Sequence, residues 1–344
     1  MPKFPSYITA MRNFSLLSPT IVVLITLSGG AYAQLSSPPN PYRDAVDWGK
    51  LPEGRKLGPS SAIDIDPKGN IWVADRCSGR KGCADSVDAP IFEFDASGKL
   101  LKNFGAGLFV YPHGIHVDRD GNVWVTDARG QNGKGQQVTK FSPEGKVLMK
   151  LGKAGVDGET PDTFNGPCDV LVAPNGDIFV ADGHENSVSR IMKFSKDGKF
   201  IKQWGKKGSA PGEFDTPHGI AMDSAGRLFV GDRANSRIQI FDQDGKLLDT
   251  WTQYGRASGI AIDKNDVLYS ADSESNSRLN PGVKRGIYIG SAKSGKLTAF
   301  IPYESVEYMD VDRTHGVEGL AVDGEGSVYA VAVFEMNLKK YSRQ

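Results

Sequence analysis

Two of the five histidines open the same short phrase. His113 begins HGIHVDRDGNVWVTDA and His218 begins HGIAMDSAGRLFVGDR. A related segment, EGLAVDGEGSVYAVAV, opens on Glu318 instead. Two imidazoles and a carboxylate with one position left open form a ligand set that catalytic zinc uses. One histidine at such a place is more often an ordinary hydrogen-bonded residue. Two at a single repeat position, with a carboxylate completing the pattern, argue for a metal. His315 stands three residues before Glu318 and is the rival third ligand. Fourteen residues after the opening position of each copy come Asp75, Asp127, Asp182, Asp232, Asp272 and, in the last copy, Ala332. The repeated Asp is read as a cap for turn amides. Arg follows it only twice, as Arg76 and Arg233. A guanidinium there suits bidentate capture of a carboxylate, or else pairs with a neighbouring Asp on a solvated rim. His184, in ADGHENS, suits general acid–base work near neutral pH if its loop faces the same place, and is a surface histidine otherwise. His116 alternates away from His113 and is read as structural.

The elements that must position these residues are repeated. Six segments share one pattern, beginning at Ser61, His113, Cys168, His218, Ser258 and Glu318. Each is an alternating apolar strand, a turn rich in Gly, Asn and Asp, and a second apolar strand, which is hairpin chemistry. Further strands follow most of them, as in VTKFSPEGKVLMKLG and IMKFSKDGKFIKQWG. Four strands per unit at periods of roughly 40–60 residues specify an all-β propeller of six blades. A sandwich is the weaker alternative, because the six hairpins are in phase. The last unit shows three strands, so AVDWGKLP at 45–52 is expected to supply the fourth and close the ring. In such a ring the six opening residues surround the axis. His113, His218 and Glu318 then come from alternate blades and converge.

The balance of 41 basic against 41 acidic residues excludes a basic nucleic-acid glove and a polybasic membrane-surface protein. Glycine is abundant, at 41 residues without a collagen period, as many turns require. Residues 1–33 read as a secretory signal. Lys3 and Arg12 precede an apolar run, and Ala31-Tyr32-Ala33 fits a cleavage site after Ala33. An uncleaved anchor is the alternative. The domain division is therefore 1–33 signal peptide and 34–344 propeller, secreted or periplasmic, with no membrane span after cleavage and a monomer expected. In an oxidising compartment Cys77 and Cys83 form the natural disulfide, while Cys168 stays a small buried hydrophobe.

These repeats resemble NHL repeats. More narrowly, FVYPHGIHVDRDGNVWVTD, FNGPCDVLVAPNGDIFVADG and PGEFDTPHGIAMD resemble the peptidyl-α-hydroxyglycine α-amidating lyases, most densely from about 109 to 242. The resemblance implies a metal-dependent lyase that cleaves a carbinolamide into an amide and glyoxylate. It implies a zinc held by three channel histidines. Pro112-His113 and Pro217-His218 match two of them, and Glu318 in register, or His315 loosely, stands at the third. Arg76 and Arg233 match its substrate-binding arginines. Its catalytic tyrosine is matched by His184, so the base is changed. A family disulfide is absent, its positions matching Asn165 and Glu185. A structural calcium, one of whose carbonyls would match that of Ile115, is doubtful because Gly319 stands where its Asp would be. The implied ligand is small and carboxylate-bearing or peptide-derived. Two other readings remain: a non-catalytic NHL propeller that binds a protein or glycan, and a lactonase-like hydrolase. The two histidines argue against the oxygen-rich metal ring of the second.

Overall fold

A computed structural model describes residues 38–43, 46–78, 82–184, 188–303 and 315–344. They lie within a unit running from Ser37 to Gln344. The signal-like segment 1–33 lies outside the described residues. No helix among those described is long and apolar enough to cross a membrane.

Six four-stranded antiparallel sheets make a six-bladed β-propeller. The inner strands are Ala62–Ile65, Pro112–Val117, Pro167–Val172, Pro217–Met222, Ala257–Ile262 and Val317–Val322. They line the axis. The sixth sheet combines Val317–Val322, Val328–Ala332 and Leu338–Tyr341 with the two-residue strand Val46–Asp47. That strand is registered as Val46↔Lys340 and Asp47↔Lys339.

Alternation buries one apolar row of each strand against the next blade. Trp72, Phe109 and Phe141 belong to one such layer between the first two blades, with Phe104 packed against it. Burying a large apolar side chain contributes about 1.5–3 kcal/mol, so these layers hold the ring together. The hairpin turns are locally determined as well. Asp66 Oδ1 accepts from the Lys68 and Asn70 amides, and Asp118 and Asp223 repeat the arrangement.

Two details of the inner strands prepare the axis for chemistry. First, the register of Pro112–Val117 against Val123–Gln131 slips between Pro112 and Ile115, and that of Pro217–Met222 slips between Pro217 and Ile220. Each irregularity contains a His-Gly pair, and a bulge of this kind re-aims a side chain. Second, the glycines let neighbouring blades approach. A Cβ on Gly114 would stand 2.5 Å from Cys168 O, and one on Gly219 would stand 2.5 Å from Ser258 O. Any larger residue would push the inner strands apart.

Candidate active site

The inner strands enclose a cavity of about 280 Å³ whose lining includes His113, Cys168, His218, Ser258 and Glu318. The opening residues of the repeats are tied to one another around this axis. His113 Nδ1 lies 2.8 Å from Cys168 O, and His218 Nδ1 lies 3.0 Å from Ser258 O. Ser61 Oγ donates to His113 O at 2.8 Å. A carbonyl only accepts, so both imidazoles donate through Nδ1 and leave Nε2 with its lone pair. Neither Nε2 finds a hydrogen-bond partner, and both are buried.

His184 joins them. One ring nitrogen from each of His113, His184 and His218 lies within 4.8 Å of the other two. Ring centroids are 4.4 Å apart for His113–His184, 4.7 Å for His113–His218 and 5.7 Å for His184–His218. The loop is turned inward at Gly183, whose φ of 143° is open to glycine; its amide and that of His184 both donate to Gly166 O at 2.9 Å. All three pKa values fall well below the ordinary imidazole value. Burial is the largest cause in each. His113 is next depressed by His218 and Arg76, His184 by His113 and Arg233, and His218 by Arg233. Three buried imidazoles that disfavour protonation, each bringing one ring nitrogen close to the others, are a donor set that suits a divalent metal of borderline softness.

Glu318 lies beside this group. Its Oε1 is 3.1 Å from His218 Nε2, close but not aligned for a hydrogen bond. Two electron-pair donors facing each other at that distance suit a shared cation. Arg233 Nη1 reaches Glu318 Oε1 at 3.8 Å and Glu274 Oε1 at 3.3 Å. Arg256 Nη2 meets the other Glu274 oxygen at 2.9 Å. Burial raises the Glu274 pKa, but Arg233 and Arg256 outweigh it and hold the carboxyl below its usual range. Arg233 is thus largely neutralised by protein carboxylates.

Arg76 differs. It is 3% exposed. Its Nη2 donates to Ser61 Oγ at 2.8 Å and its Nε to Pro112 O at 3.3 Å. Its guanidinium lies over the Tyr111 ring, 4.3 Å from the centroid. None of these partners is a carboxylate. Tyr111, with a centroid 6.4 Å from that of His113 and 6.3 Å from that of His184, also borders the site.

The remaining candidates fall elsewhere. His315 Nδ1 is 3.1 Å from Glu335 Oε1, and its ring lies 4.0 Å from that of Phe334. It is not a member of the three-histidine group. Cys77 and Cys83 form the disulfide, with Cα atoms 5.2 Å apart, and Cys168 is free and buried. His116 lines the cavity wall, its Nδ1 3.1 Å from Asp64 Oδ2. The repeated Asp residues do hold turn amides: Asp127 takes those of Val110 and Tyr111, Asp182 that of Asn165, and Asp232 that of Asp215. Sequence reasoning missed Tyr111 and Glu274. Neither sits at the repeat positions that it compared.

Comparison with known proteins agrees with this architecture. The NHL repeat family matches residues 214–241. Peptidyl-glycine alpha-amidating monooxygenase B of Xenopus laevis is 37% identical over 212 residues, covering 55% of this chain and 23% of that protein. The probable peptidyl-alpha-hydroxyglycine alpha-amidating lyase pgal-1 of Caenorhabditis elegans is 41% identical over 141 residues, covering 40% and 38%. NHL repeat-containing protein 3 of Homo sapiens is 32% identical over 200 residues, covering 56% and 54%. The chain thus spans less than a quarter of the amidating monooxygenase and about half of the human protein. Among solved structures, a gluconolactonase of Xanthomonas campestris aligns with a TM-score of 0.59 at 15% identity, over 89% of this chain and 99% of the other. Virginiamycin B lyase of Staphylococcus aureus aligns with a TM-score of 0.56 at 15% identity, over 87% and 98%. These structural likenesses speak to the fold alone. The chain is a six-bladed propeller bearing an NHL repeat, similar in sequence to proteins named as peptidyl-α-hydroxyglycine α-amidating lyases.

Proposed function

We propose that the protein is an exported, metal-dependent lyase that cleaves a carbinolamide into an amide and glyoxylate. The observation that carries this reading is the buried group of His113, His184 and His218, neutral and convergent, beside Glu318. These residues would hold a divalent ion, zinc above all by the donor set. When bound, the metal supplies Lewis-acid polarisation of the substrate hydroxyl. His113 and His218 are oriented by the carbonyls of neighbouring blades, a second layer of contacts that fixes which nitrogen faces the axis. His184 was read from sequence as the base; its place among the ring nitrogens favours a ligand's role. Glu318 then stands as a further ligand or as the group that holds the transferred proton, with Arg233 Nη1 3.8 Å from its Oε1. Arg76 takes the substrate carboxylate. Calcium is no part of this proposal, since Gly319 occupies the relevant position. Export rests on the signal-like segment ending at Ala33, and the Cys77–Cys83 disulfide supports an oxidising compartment. We take the mature protein to be a monomer.

The test is metal analysis of the purified mature protein, together with an assay of glyoxylate release from a peptidyl-α-hydroxyglycine. About one zinc per chain and steady release are expected. A metal-loaded protein that releases no glyoxylate overturns the lyase reading. The similarity to the human NHL repeat-containing protein 3 favours one rival, a propeller that only binds. Metal-free protein that keeps a ligand on its rim would support it.

A further inference from the structure

Arg76 and Arg233 stand at one repeat position, yet two different devices hold them. Arg233 is held by carboxylates, Glu274 at 3.3 Å and Glu318 at 3.8 Å, which offset its charge. Arg76 is held by uncharged groups and is followed at once by Cys77, half of the Cys77–Cys83 disulfide. No cysteine follows Arg233, where the chain runs on as Ala234-Asn235.

The disulfide closes a circuit that begins and ends at Arg76. Cys77 has a φ of 59°, a left-handed turn that residues other than glycine adopt only where their surroundings impose it. Asp75 Oδ1 accepts its amide at 3.0 Å, and its sulfur is bonded to Cys83. The Cys83 amide donates to Val110 O at 2.7 Å. A Cβ on the preceding Gly82 would stand 2.6 Å from that same oxygen, so the approach needs glycine. Next to Val110 is Tyr111, whose ring the Arg76 guanidinium covers at 4.3 Å. Pro112 O accepts from Arg76 Nε, and Ser61 Oγ accepts from Arg76 Nη2 while donating to His113 O. Each residue from Val110 to His113 is therefore held by a group from blade 1, and the last of them belongs to the histidine group. Both cysteines are buried in the apolar layer between blades 1 and 2, together with Phe109 and Ile115.

Blade 2 grips the same segment with an element of its own. Its strands Val123–Gln131 and Lys134–Phe141 have nine and eight residues, whereas the corresponding strands of the other blades have four to six. Asn132 and Gly133 turn this lengthened hairpin, both with positive φ. At its base a Cβ on Gly135 would stand 3.1 Å from Val110 Cγ2, and the Arg129 guanidinium lies 3.9 Å from the Tyr111 ring centroid.

We infer that the Cys77–Cys83 disulfide is a positioning element of the ligand site. It fixes the Arg76 guanidinium against Tyr111 and Pro112 without a carboxylate, so the positive charge is kept for an anionic ligand. A counter-ion would hold the side chain as firmly but would cancel the charge, as happens at Arg233. The inference rests on the reading of Arg76 as the seat of the substrate carboxylate, and it names what prepares that seat. Ordering the seat before the ligand arrives raises affinity by removing part of the cost of binding.

The test compares N-acetylglycine with N-acetylglycinamide, its uncharged counterpart, on the metal-loaded mature protein. Neither carries the hydroxyl that cleavage needs. Calorimetric titration should show the acid binding about tenfold more tightly than the amide, and Arg76→Ala should abolish that preference. In the double variant Cys77→Gly, Cys83→Ala, glycine keeps the left-handed turn and the cross-link is lost. This variant should keep its metal and its affinity for the amide, while the acid weakens about fivefold. Combined with Arg76→Ala, the same two changes should alter neither affinity, whereas a general loss of structure would weaken both probes in either background. The parent protein supplies a second measurement that needs no variant to fold. Coupling between ligand and circuit is reciprocal, so saturating N-acetylglycine should slow hydrogen exchange of the Cys83 amide and N-acetylglycinamide should not. Equal affinities for acid and amide in the parent overturn the inference together with the role given to Arg76. A preference that survives loss of the disulfide, or a Cys83 amide indifferent to the acid, overturns the inference alone. Absence of glyoxylate release removes the lyase reading and leaves this comparison standing, so the failures are separable.

Discussion

His113 and His116 share one strand, both line one cavity, and their pKa values are shifted in opposite directions. At the mouth, His113 faces His218 and Arg76, and burial together with those groups presses its pKa well down. Deeper in the strand, burial also works against charge on His116. There the hydrogen bond and charge of Asp64, with Asp169 and Asp118, outweigh it and raise the pKa. Asp169 is itself pushed up to about 7 by burial. Burial of an imidazole therefore does not decide its charge; the sign of its neighbours does. One end of the strand disfavours the imidazolium, and the other favours it.

The largest effect expected from this contrast is on metal. The double variant His113→Ala, His218→Ala should fall from about one ion per chain to background, and activity should go with it, whereas His116→Asn should keep its metal. Elemental analysis of both would break the comparison if they lost metal alike. Next comes the third ligand. His184→Ala should lose metal more completely than Glu318→Gln, and His315→Ala should lose none. The reverse order would return His184 to the role of base.

A smaller effect separates the two arginines. Arg76→Ala should raise KM roughly ten- to a hundredfold, the loss of a charge-assisted bond to carboxylate, with Arg76→Lys only a partial rescue. Arg233→Ala should show itself first as lost stability, roughly 3 kcal/mol, because it takes a guanidinium away from buried Glu318 and leaves half-buried Glu274 to Arg256 alone. Denaturant melts and steady-state kinetics on both variants separate these outcomes.

The smallest effect belongs to His116. A group whose pKa is raised in the folded protein stabilises fully below its unfolded value, here near 6.5, and that contribution is lost as pH climbs through the raised value. His116→Asn should therefore melt a few degrees lower than the parent on the acid side. The two melting curves should converge in alkaline buffer. A constant gap across pH would mean that His116 contributes shape rather than charge.

The blades were legible from the chain because a strand, an Asx-type turn and a second strand recur with the same internal spacing, and turn chemistry is local. The ring of opening residues followed from that register, which is why His113, His218 and Glu318 could be named together. His184 was legible as a candidate but not in its place, since its direction depends on one glycine torsion and on Gly166 in the preceding loop. The neutralisation of Arg233 was hidden because Glu274 comes from the next blade, off the compared positions. Tyr111 stood next to Pro112-His113 in the sequence, yet nothing in its spacing announces two guanidiniums on its ring. The hairpin did leave a signal, the Asn132-Gly133 pair in RGQNGKG, which fits a tight turn beyond the rim.

The repeated Asp has a consequence for how such a molecule changes over generations. In blades one to five its carboxylate holds backbone amides of the segment entering the same blade: Gly58 for Asp75, Val110 and Tyr111 for Asp127, Asn165 for Asp182, Asp215 for Asp232 and Arg256 for Asp272. Each rim loop is thereby anchored to its own sheet and asks little of its neighbours. Mutation can lengthen a hairpin in one blade, or install an imidazole after the strap of another, while the stacking between blades stays as it was. The apolar layers conserve the wheel and the straps leave its face free to vary, so new specificity can arise one blade at a time.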